Sequence, residues 1–345
     1  MTHEFKKLTQ AYLRANIIGL KSVIATVIAL EGSSYRRPGV RMMIDSSGQM
    51  TGAVSGGCVE KEILKQSETV FKTGVPKIMT YDGRYKLGCE GLLYILIEPF
   101  DPDRKMMTSF ENTLEERKAF EITSCFSITV TNGENLGSII SFANKESYAF
   151  NKKVQNKLKS SPELKQFIQK MEPCFKLIII GAEHDAVQLT RFASQLGWEV
   201  IVISNPSDPQ NLGDFPGAHN LLAILPESFN VDDINEQTAV VLMTHSYVKD
   251  LNFLTALKDA KPIYLGLLGP AKRRERLLNE FIESNPMVKE EFFDLIYGPT
   301  GLNIGAETPE EISLSICSEI LSVIRGRDPI SLKDKKGKIH LDIST

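Results

Sequence analysis

The chain has 345 residues, and this length predicts two domains at the usual size of about 100–200 residues each. Hydrophobic residues make up 42% and charged residues 24% of the sequence, which excludes disordered, collagenous and coiled-coil proteins. The formal net charge is −3 at pH 7, and this argues against a general nucleic-acid binder and against attachment to an anionic membrane.

The five cysteines are odd in number and far apart, and no CxxC pair occurs. Neither a disulfide framework nor a structural zinc site is indicated, and reduced thiols fit a cytosolic protein best. The most apolar N-terminal stretch, residues 17–30, is interrupted by Lys21 and is too short to span a bilayer. Because no secretory signal is evident either, we expect a cytoplasmic protein.

The first region, residues 1–150, has the pattern of a mixed domain in which strands outnumber helices. Apolar residues from Val59 to Phe71 recur at helical spacing, and Gly74 and Pro76 end that helix. The predicted strands are 23–30, 40–44, 50–54, 92–97, 126–130 and 136–141, the last two joined in a hairpin through Asn132-Gly133.

The rest of the chain changes in character. Residues 151–172 are rich in polar side chains, and we expect a polar, partly helical linker there. Residues 173–330 alternate strands with helices, which predicts a doubly wound parallel sheet in the order 3-2-1-4-5-6, followed by a polar tail at 331–345. Its predicted strands are 177–180, 200–203, 221–225, 239–243 and 263–267. The last helix is predicted to start at Thr308, with Pro309 first and Glu311 completing a capping box.

The turn after the first of these strands lies where the dinucleotide-binding fingerprint of a Rossmann fold is found. Gly181 allows a tight turn and Ala186 allows close helix packing, as in G-x-G-x-x-G/A. Glu183, however, replaces the middle glycine with a carboxylate where a diphosphate would approach. Strand two ends in Ser204-Asn205, without an acidic residue for a ribose. The pattern predicts a Rossmann-type fold without ordinary NAD(P) binding, and Glu183 alternatively serves only the helix dipole.

Further candidates lie at the carboxyl edge of the predicted sheet, where open α/β sheets bind ligands. A single histidine at such an edge is usually structural, but His184 and His245 at the ends of neighbouring strands favour a binding role. Glycines follow the later strands at Gly266, Gly269 and Gly301. The basic run Lys272, Arg273, Arg274 and Arg276 is typical of a solvated helix face, or its first members cradle a phosphate.

Two loops of the first region combine glycine with reactive or charged groups. Residues 32–41 carry hydroxyls and three arginines, which suit an anionic or polar heteroaromatic ligand. Residues 55–60 lead from a strand into a helix and put the Cys58 sulfur near a helix N-terminus, where a thiolate is favoured. Cys89 also lies among glycines, which oppose burial in a packed core. Cys125 and Cys317 have the patterns of buried small residues.

Several of these segments resemble one known family. Gly32–Ser34, Arg36–Met42, Ser55–Glu60 and Gly88-Cys89 resemble the N-terminal domain of the XdhC/CoxI family, the xanthine dehydrogenase accessory factors. The second region is similar to that family's Rossmann domain in Gly181-Ala182, His184, Ala186, Thr244-His245, Asp250, Tyr264–Gly269, Gly298–Leu302, Gly305 and Thr308–Ile312. The chain departs from the family at Glu183 and Glu90, where glycine is usual, and at Ser204, where aspartate is usual.

The expected fold class is therefore α/β, with an N-terminal mixed α+β XdhC/CoxI-type domain and a C-terminal Rossmann-like doubly wound parallel sheet. The resemblance implies an accessory factor that binds molybdenum cofactor, assists its sulfuration and delivers it to a molybdenum hydroxylase such as xanthine dehydrogenase. It also implies a homodimer without turnover of its own, and a cysteine desulfurase as a further partner. Cys58 is the expected thiolate contact to molybdenum.

The candidate cofactor-binding residues are Gly32, Ser33, Ser34, Arg36, Arg37, Arg41, Ser55, Gly56, Gly57, Cys58, Glu60, Cys89, Gly181, His184, His245, Gly266, Gly269 and Gly301. Two alternatives stay open on the residues alone. One is an NAD(P)-dependent oxidoreductase with a degenerate fingerprint, and the other is a sulfur- or nucleotide-transferring enzyme that uses Cys58 or Cys89 as nucleophile.

Overall fold

The computed structural model of the chain describes residues 1–32, 37–83, 91–154, 158 and 164–336. The chain divides into two compact units, Met1–Cys174 and Phe175–Thr345. The described helices and strands of the first unit are α1 (Thr2–Ile17), β1 (Ser22–Gly32), β2 (Arg41–Asp45), β3 (Met50–Gly52), α2 (Cys58–Thr73), β4 (Lys77–Asp82), β5 (Gly91–Pro99), α3 (Arg104–Glu115), β6 (Phe120–Phe126), β7 (Gly137–Phe142), β8 (Ser147–Ala149) and β9 (Lys165–Met171).

The first unit contains two antiparallel sheets. One has the order β3-β2-β1-β5-β4, and the other has the order β8-β7-β6-β9. The central strand β1 alternates its side chains between two buried faces, as a period of two requires. Val23, Ala25 and Val27 pack with α2, whereas Ile24 packs with α1, α3 and residues of the second sheet.

The linker prediction for residues 151–172 is wrong in part. Lys165–Met171 forms β9, which pairs antiparallel with β6 and carries alternating exposed and partly buried side chains. Such an edge strand buries little, so its sequence is nearly as polar as that of a linker. Helices α1 and α3 were not predicted either, although their buried faces carry Phe5, Leu8, Met106 and Phe110.

The described helices and strands of the second unit are β10 (Lys176–Ile180), α4 (His184–Gln195), β11 (Glu199–Ser204), β12 (Asn220–Ala223), β13 (Thr238–Leu242), α5 (Tyr247–Ala256), β14 (Tyr264–Leu267), α6 (Ala271–Ser284), α7 (Glu290–Phe293), β15 (Ile296–Tyr297) and α8 (Pro309–Arg325). Its strands form one parallel sheet in the order β12-β11-β10-β13-β14-β15. In chain order this is 3-2-1-4-5-6, so the predicted doubly wound topology is confirmed.

Helices cover both faces of the parallel sheet. Leu177 and Ile179 of β10 pack with α4 and α8, whereas Ile178 and Ile180 pack with α5 and α6. Burial on both faces explains why these strands are apolar throughout. The predicted start of α8 is confirmed as well, because Thr308 and Glu311 form a capping box with Pro309 in the first turn. Within the described residues no helix is long and apolar enough to cross a bilayer.

Candidate functional site

The strand ends that flank the candidate loops of the first unit lie at one end of its five-stranded sheet. Gly32, the last residue of β1, pairs with Gly91, the first residue of β5. Arg41 at the start of β2 pairs with Thr26, and Gly52 at the end of β3 pairs with Met42. Because these pairs are antiparallel, β1 and β3 end, and β2 and β5 begin, at the same end of the sheet. The 32–41 loop, the 53–57 loop and the segment before β5 are therefore attached to the sheet at that end. Ser33, Ser34, Arg36 and Cys89 lie outside the described residues.

The Cys58 loop, residues 53–57, leads directly into the exposed thiol of Cys58. Cys58 is the first residue of α2 and is exposed, while Val59 and Ile63 turn the buried face of the helix toward the sheet. Gly57 has a φ of +53°, and a Cβ at Gly56 or Gly57 would meet no atom within 4 Å. These glycines therefore leave open space beside the sulfur, as the sequence predicted for Cys58.

The buried side chain of Glu60 accepts hydrogen bonds from the backbone of this loop. Its side chain is 8% exposed, and its Oε1 accepts hydrogen bonds from the backbone N–H of Val54 at 3.1 Å and of Ser55 at 2.7 Å. Its Oε2 is buried and has no hydrogen-bond partner among the described residues. Glu60 was expected as a cofactor ligand, and the structure shows in addition that it fixes the backbone just ahead of Gly56 and Cys58.

Arg41 and Arg37 occupy different environments in the 32–41 loop. Arg37 is partly buried, whereas Arg41 is 7% exposed and lies at the root of the loop. The Arg41 Nη1 donates to the Gly39 carbonyl at 2.9 Å and to the Gln169 side chain on β9. Burial lowers the pKa of Arg41 to about 10, and the nearby Glu98 raises it. This arginine therefore ties the loop to the second sheet, with its guanidinium turned inward.

Glu98 on β5 is the buried counter-charge of Arg41. Its carboxylate accepts from Ser138 N at 2.9 Å and from Ser138 Oγ at 2.6 Å. Burial raises the pKa of Glu98 to about 7, although the Ser138 hydrogen bonds and the charge of Arg41 lower it. Nε and Nη2 of Arg41 have no hydrogen-bond partner among the described residues. The interior of the first unit thus contains charge that is only partly compensated.

The carboxyl edge of the parallel sheet in the second unit begins at Gly181. This residue has a φ of +137°, and a Cβ there would lie 2.4 Å from the Met243 carbonyl oxygen, so the turn between β10 and α4 requires glycine. Glu183 is the N-cap residue of α4, and its Oε2 accepts from Ala182 N–H at 2.9 Å. A carboxylate of the chain itself therefore takes a backbone donor that a dinucleotide phosphate uses in this fold.

The two histidines of this edge follow neighbouring strands, as predicted. His184 is the first residue of α4 and is exposed. His245 follows β13 with a φ of +54°, and its Nε2 lies 3.4 Å from Asp185 Oδ2. The His245 side chain is 51% exposed. This edge therefore presents imidazole and carboxylate groups side by side.

Asp250 fixes the end of β13 and the basic helix beside it. Its side chain is buried, and its Oδ1 accepts from Thr244 Oγ1 at 2.6 Å and from Thr244 N at 3.2 Å. Its Oδ2 accepts from Arg273 Nη2 at 2.6 Å. Burial raises the pKa of Asp250, against the hydrogen bonds of Thr244 and the charge of Arg273. The expectation of a wholly solvated basic run is corrected, because Arg273 pairs with Asp250 and Arg276 lies over the Tyr247 ring, 4.8 Å from its centroid.

The later glycines of this edge permit close packing around a buried hydroxyl cluster. A Cβ at Gly266 would lie 2.6 Å from Thr300 Oγ1, and one at Gly269 would lie 3.2 Å from Arg273 Cδ. Glu319 Oε2 accepts from Gly301 N at 2.8 Å and from Tyr264 OH at 2.5 Å. Burial raises the pKa of Tyr264, and Glu319 adds to that effect. Gly266, Gly269 and Gly301 therefore lie at the predicted edge but have clear packing roles.

The remaining cysteines differ from Cys58. Cys125 and Cys317 are buried, as predicted, and Cys174 is buried too. Burial raises the pKa of the Cys317 thiol to about 12, so that thiol stays neutral. The described residues contain no group of three or more histidine, cysteine or acidic side chains placed to hold a metal ion.

The candidate site residues predicted from the sequence did not include the two carboxylates that organise the carboxyl edge, Asp250 and Glu319; Asp250 was named only as part of the family resemblance. A signal for Asp250 was present, because it lies in the first turn of a helix whose N-cap is Ser246. Glu319 lies late in α8 and reaches Gly301 only through the tertiary fold. Of the two regions, the Cys58 loop has an exposed thiol and a buried acceptor that no described residue pairs, whereas Asp250 and Glu319 at the carboxyl edge are paired within the chain.

Both units match known proteins. Residues 177–320 match the model of the XdhC Rossmann domain, and residues 19–82 match the model of the XdhC and CoxI family. A protein of Bacillus subtilis described as a probable xanthine dehydrogenase component is 30% identical over 317 residues, covering 87% of this chain and 92% of that protein. The molybdenum cofactor insertion chaperone PaoD of Escherichia coli is 22% identical over 328 residues, covering 94% and 90%.

A solved structure shows the same architecture. A crystal structure described as a xanthine dehydrogenase from Bacillus halodurans has a TM-score of 0.74 and 26% sequence identity to this chain. The match covers 95% of this chain and 97% of that one. The likeness therefore extends over both units.

Proposed function

The chain belongs to the XdhC and CoxI family, and from that premise we propose that it is an accessory protein that binds molybdenum cofactor as cargo and passes it to a molybdenum hydroxylase such as xanthine dehydrogenase. The observation that carries the proposal is the exposed Cys58 at the start of α2 beside two glycines that leave open space. A soft thiolate is a suitable ligand for a metal that arrives within a cofactor.

The residues of the Cys58 loop fit a pterin-type cargo. The glycines give a flat heteroaromatic ring access to the backbone, because no side chain blocks the approach at Gly56 or Gly57. The arginines and hydroxyls at 33–37 suit the phosphate of the cofactor, and Cys89 provides a second thiol in the segment before β5.

The carboxyl edge of the second unit has a different place in this proposal. Gly181, His184, His245, Gly266, Gly269 and Gly301 stay proposed contacts. The internal pairs of Glu183, Asp250 and Glu319 leave fewer donors there for a phosphate. We therefore assign the metal end of the cargo to the Cys58 loop.

Delivery and sulfuration are the finer parts of the proposal. A carrier that holds molybdenum through a single thiolate can release it when the target enzyme supplies its own contacts, without turnover of its own. A cysteine desulfurase would supply the sulfur during sulfuration, and a homodimer in the cytoplasm is the proposed assembly.

The test is the pterin content of protein purified from a host that makes molybdenum cofactor. We expect wild-type protein to carry a fluorescent pterin after oxidation, and Cys58→Ser to carry at least fivefold less, because a neutral hydroxyl is a poorer metal ligand than a thiolate. Cys174→Ala, which removes a buried thiol, is the matched control and should keep its pterin. Equal pterin content in the wild type and Cys58→Ser would remove Cys58 from the site.

An NAD(P)-dependent oxidoreductase is the second candidate, and the parallel sheet with its tight Gly181 turn favours it. The hydrogen bond from Ala182 N–H to Glu183 opposes it, since a diphosphate would have to displace a carboxylate. Calorimetric titration with NAD and NADP decides the matter: binding at micromolar concentration would support this candidate, and no measurable heat together with no thermal shift would end it.

A further inference from the structure

Glu60 and Asp250 form the same local device in the two units. Each lies in the first turn of a helix that follows a strand end, and each accepts the backbone N–H of the residue six positions earlier. Both carboxylates are buried, at 8% and 3% exposure. In each case one carboxylate oxygen on the helix accepts a backbone hydrogen bond from the loop that precedes the helix.

The second oxygen distinguishes them. Asp250 Oδ2 accepts from Arg273 at 2.6 Å, whereas Glu60 Oε2 is buried and has no hydrogen-bond partner among the described residues. A buried carboxylate oxygen without a donor is costly, because desolvation is not repaid. In the second unit Arg273 supplies this donor, whereas in the first unit no described residue does.

Glu60 lies two positions after Cys58, the residue that the cargo is proposed to contact. Its Oε1 accepts from Ser55 N at 2.7 Å, and Gly56, Gly57 and Cys58 follow Ser55 directly. The Cβ positions of both glycines face open space, so packing does not hold Gly56 and Gly57 in place, although Val54 at the start of the same loop is fully buried. Among the described side-chain hydrogen bonds, those that Glu60 accepts are the ones that hold the backbone ahead of Cys58.

We propose that Glu60 has two roles: its Oε1 positions the Cys58 loop, and its Oε2 accepts a hydrogen bond from a ring N–H of the heteroaromatic molecule bound at that loop. The second role rests on the proposed function, because it requires the pterin as the donor. The amide and amino N–H groups on the edge of a pterin ring are donors of this class. Glu60 thus selects a cargo with an N–H edge and rejects one that presents only acceptors.

Glu60→Gln separates the two roles. The amide oxygen of glutamine can keep both backbone hydrogen bonds, because the amide nitrogen in that place would face two N–H donors. The amide N–H₂ then replaces Oε2 and meets the ligand N–H donor to donor. Glu60→Ala removes both roles, and Glu68→Gln, at an exposed position of the same helix, is the matched control.

The positioning role is measured on protein made without cofactor. The rate of Cys58 alkylation, followed by peptide mass spectrometry, should change less than twofold in Glu60→Gln and Glu68→Gln. It should fall at least fivefold in Glu60→Ala, since the thiol loses its fixed place at the helix N-terminus. An unchanged rate in a folded Glu60→Ala would overturn the positioning role, and this result does not depend on the cargo.

The acceptor role is measured as pterin content after production in a cofactor-making host. We expect Glu60→Gln to carry at least fivefold less pterin than the wild type while its Cys58 reactivity is preserved, and Glu68→Gln to carry the wild-type amount. Wild-type pterin content in Glu60→Gln would overturn the acceptor role and leave the proposed function intact. If the wild type itself carries no pterin and binds none when pterin is added, the proposed function and the acceptor role fall together.

Discussion

The Cys58 loop and the carboxyl edge of the parallel sheet use the same elements in opposite ways. Both consist of glycine-rich turns at strand ends, helix starts and a buried carboxylate. At the carboxyl edge Asp250 bonds Thr244 with one oxygen and Arg273 with the other. In the Cys58 loop Glu60 bonds Val54 and Ser55 with one oxygen, and the second has no described partner. An incompletely satisfied polar site is the better candidate for a ligand, because binding can recover the lost hydrogen bond.

The largest expected effect on stability comes from removing the Asp250 carboxylate at the carboxyl edge, because both of its oxygens are hydrogen-bonded. Asp250→Ala should lower the free energy of unfolding of the second unit by about 4 kcal/mol, since it leaves Arg273 Nη2, Thr244 N and Thr244 Oγ1 without the acceptor they share. Trp198, the single tryptophan, lies in this unit and reports urea unfolding by fluorescence. Asp250→Asn keeps one acceptor for Thr244 and should lose less. A change below about 1 kcal/mol in Asp250→Ala would contradict the structural account of this edge.

The next effect concerns Glu98, a buried carboxylate of the first unit that is 1% exposed. Its native pKa is about 7, above the ordinary value of 4.5, because burial disfavours the charge. Between these two values the unfolded chain is ionised while the native carboxyl keeps its proton, so stability falls as pH rises through that window. The total loss is about 3 kcal/mol, and above the native pKa it stays constant.

Calorimetric unfolding of the wild type and Glu98→Gln checks this dependence. Glutamine can accept from Ser138 N without a charge, so the variant should lack the decrease between about pH 5 and pH 8 and be the more stable protein at the upper end. The same decrease in both proteins would show that other groups cause it.

The smallest effect compares glycines of the two regions. Gly181→Ala should cost about 2 kcal/mol, because the φ of +137° is strained for alanine and the added Cβ meets the Met243 carbonyl. Gly56→Ala adds its Cβ to open space and should change stability by less than about 0.5 kcal/mol. Urea unfolding, with Trp198 fluorescence for Gly181→Ala, gives both values. A loss in Gly56→Ala as large as that in Gly181→Ala would mean that the Cys58 loop is packed and has no room for a ligand.

Sequence periodicity and turn chemistry sufficed for most of the architecture. The parallel sheet order, the start of α8 and the helix after Cys58 were all predicted, because each depends on local pattern or on a general rule of chain connection. Strand β9 was missed because an edge strand carries little apolar signal. Placing Cys58 at an open helix start also needed only neighbouring residues, since its glycines lie next to it.

The hydrogen-bond partners of the buried charged residues could not be predicted from local sequence, because they lie far away along the chain. Asp250 meets Arg273 across 23 positions of the sequence, Glu98 meets Ser138 across 40, and Arg41 meets Gln169 across 128. From the sequence alone Arg41 belonged to a loop suited to an anionic or polar heteroaromatic ligand, and Arg273 to a solvated helix face or a phosphate cradle. By itself the sequence determined the strand order of the parallel sheet, the helix starts at Cys58 and Thr308, and the exposed thiol. Only the tertiary structure decided which buried carboxylate oxygens find a donor among the described residues, because a buried group's partner comes from whichever strand or helix packs against it.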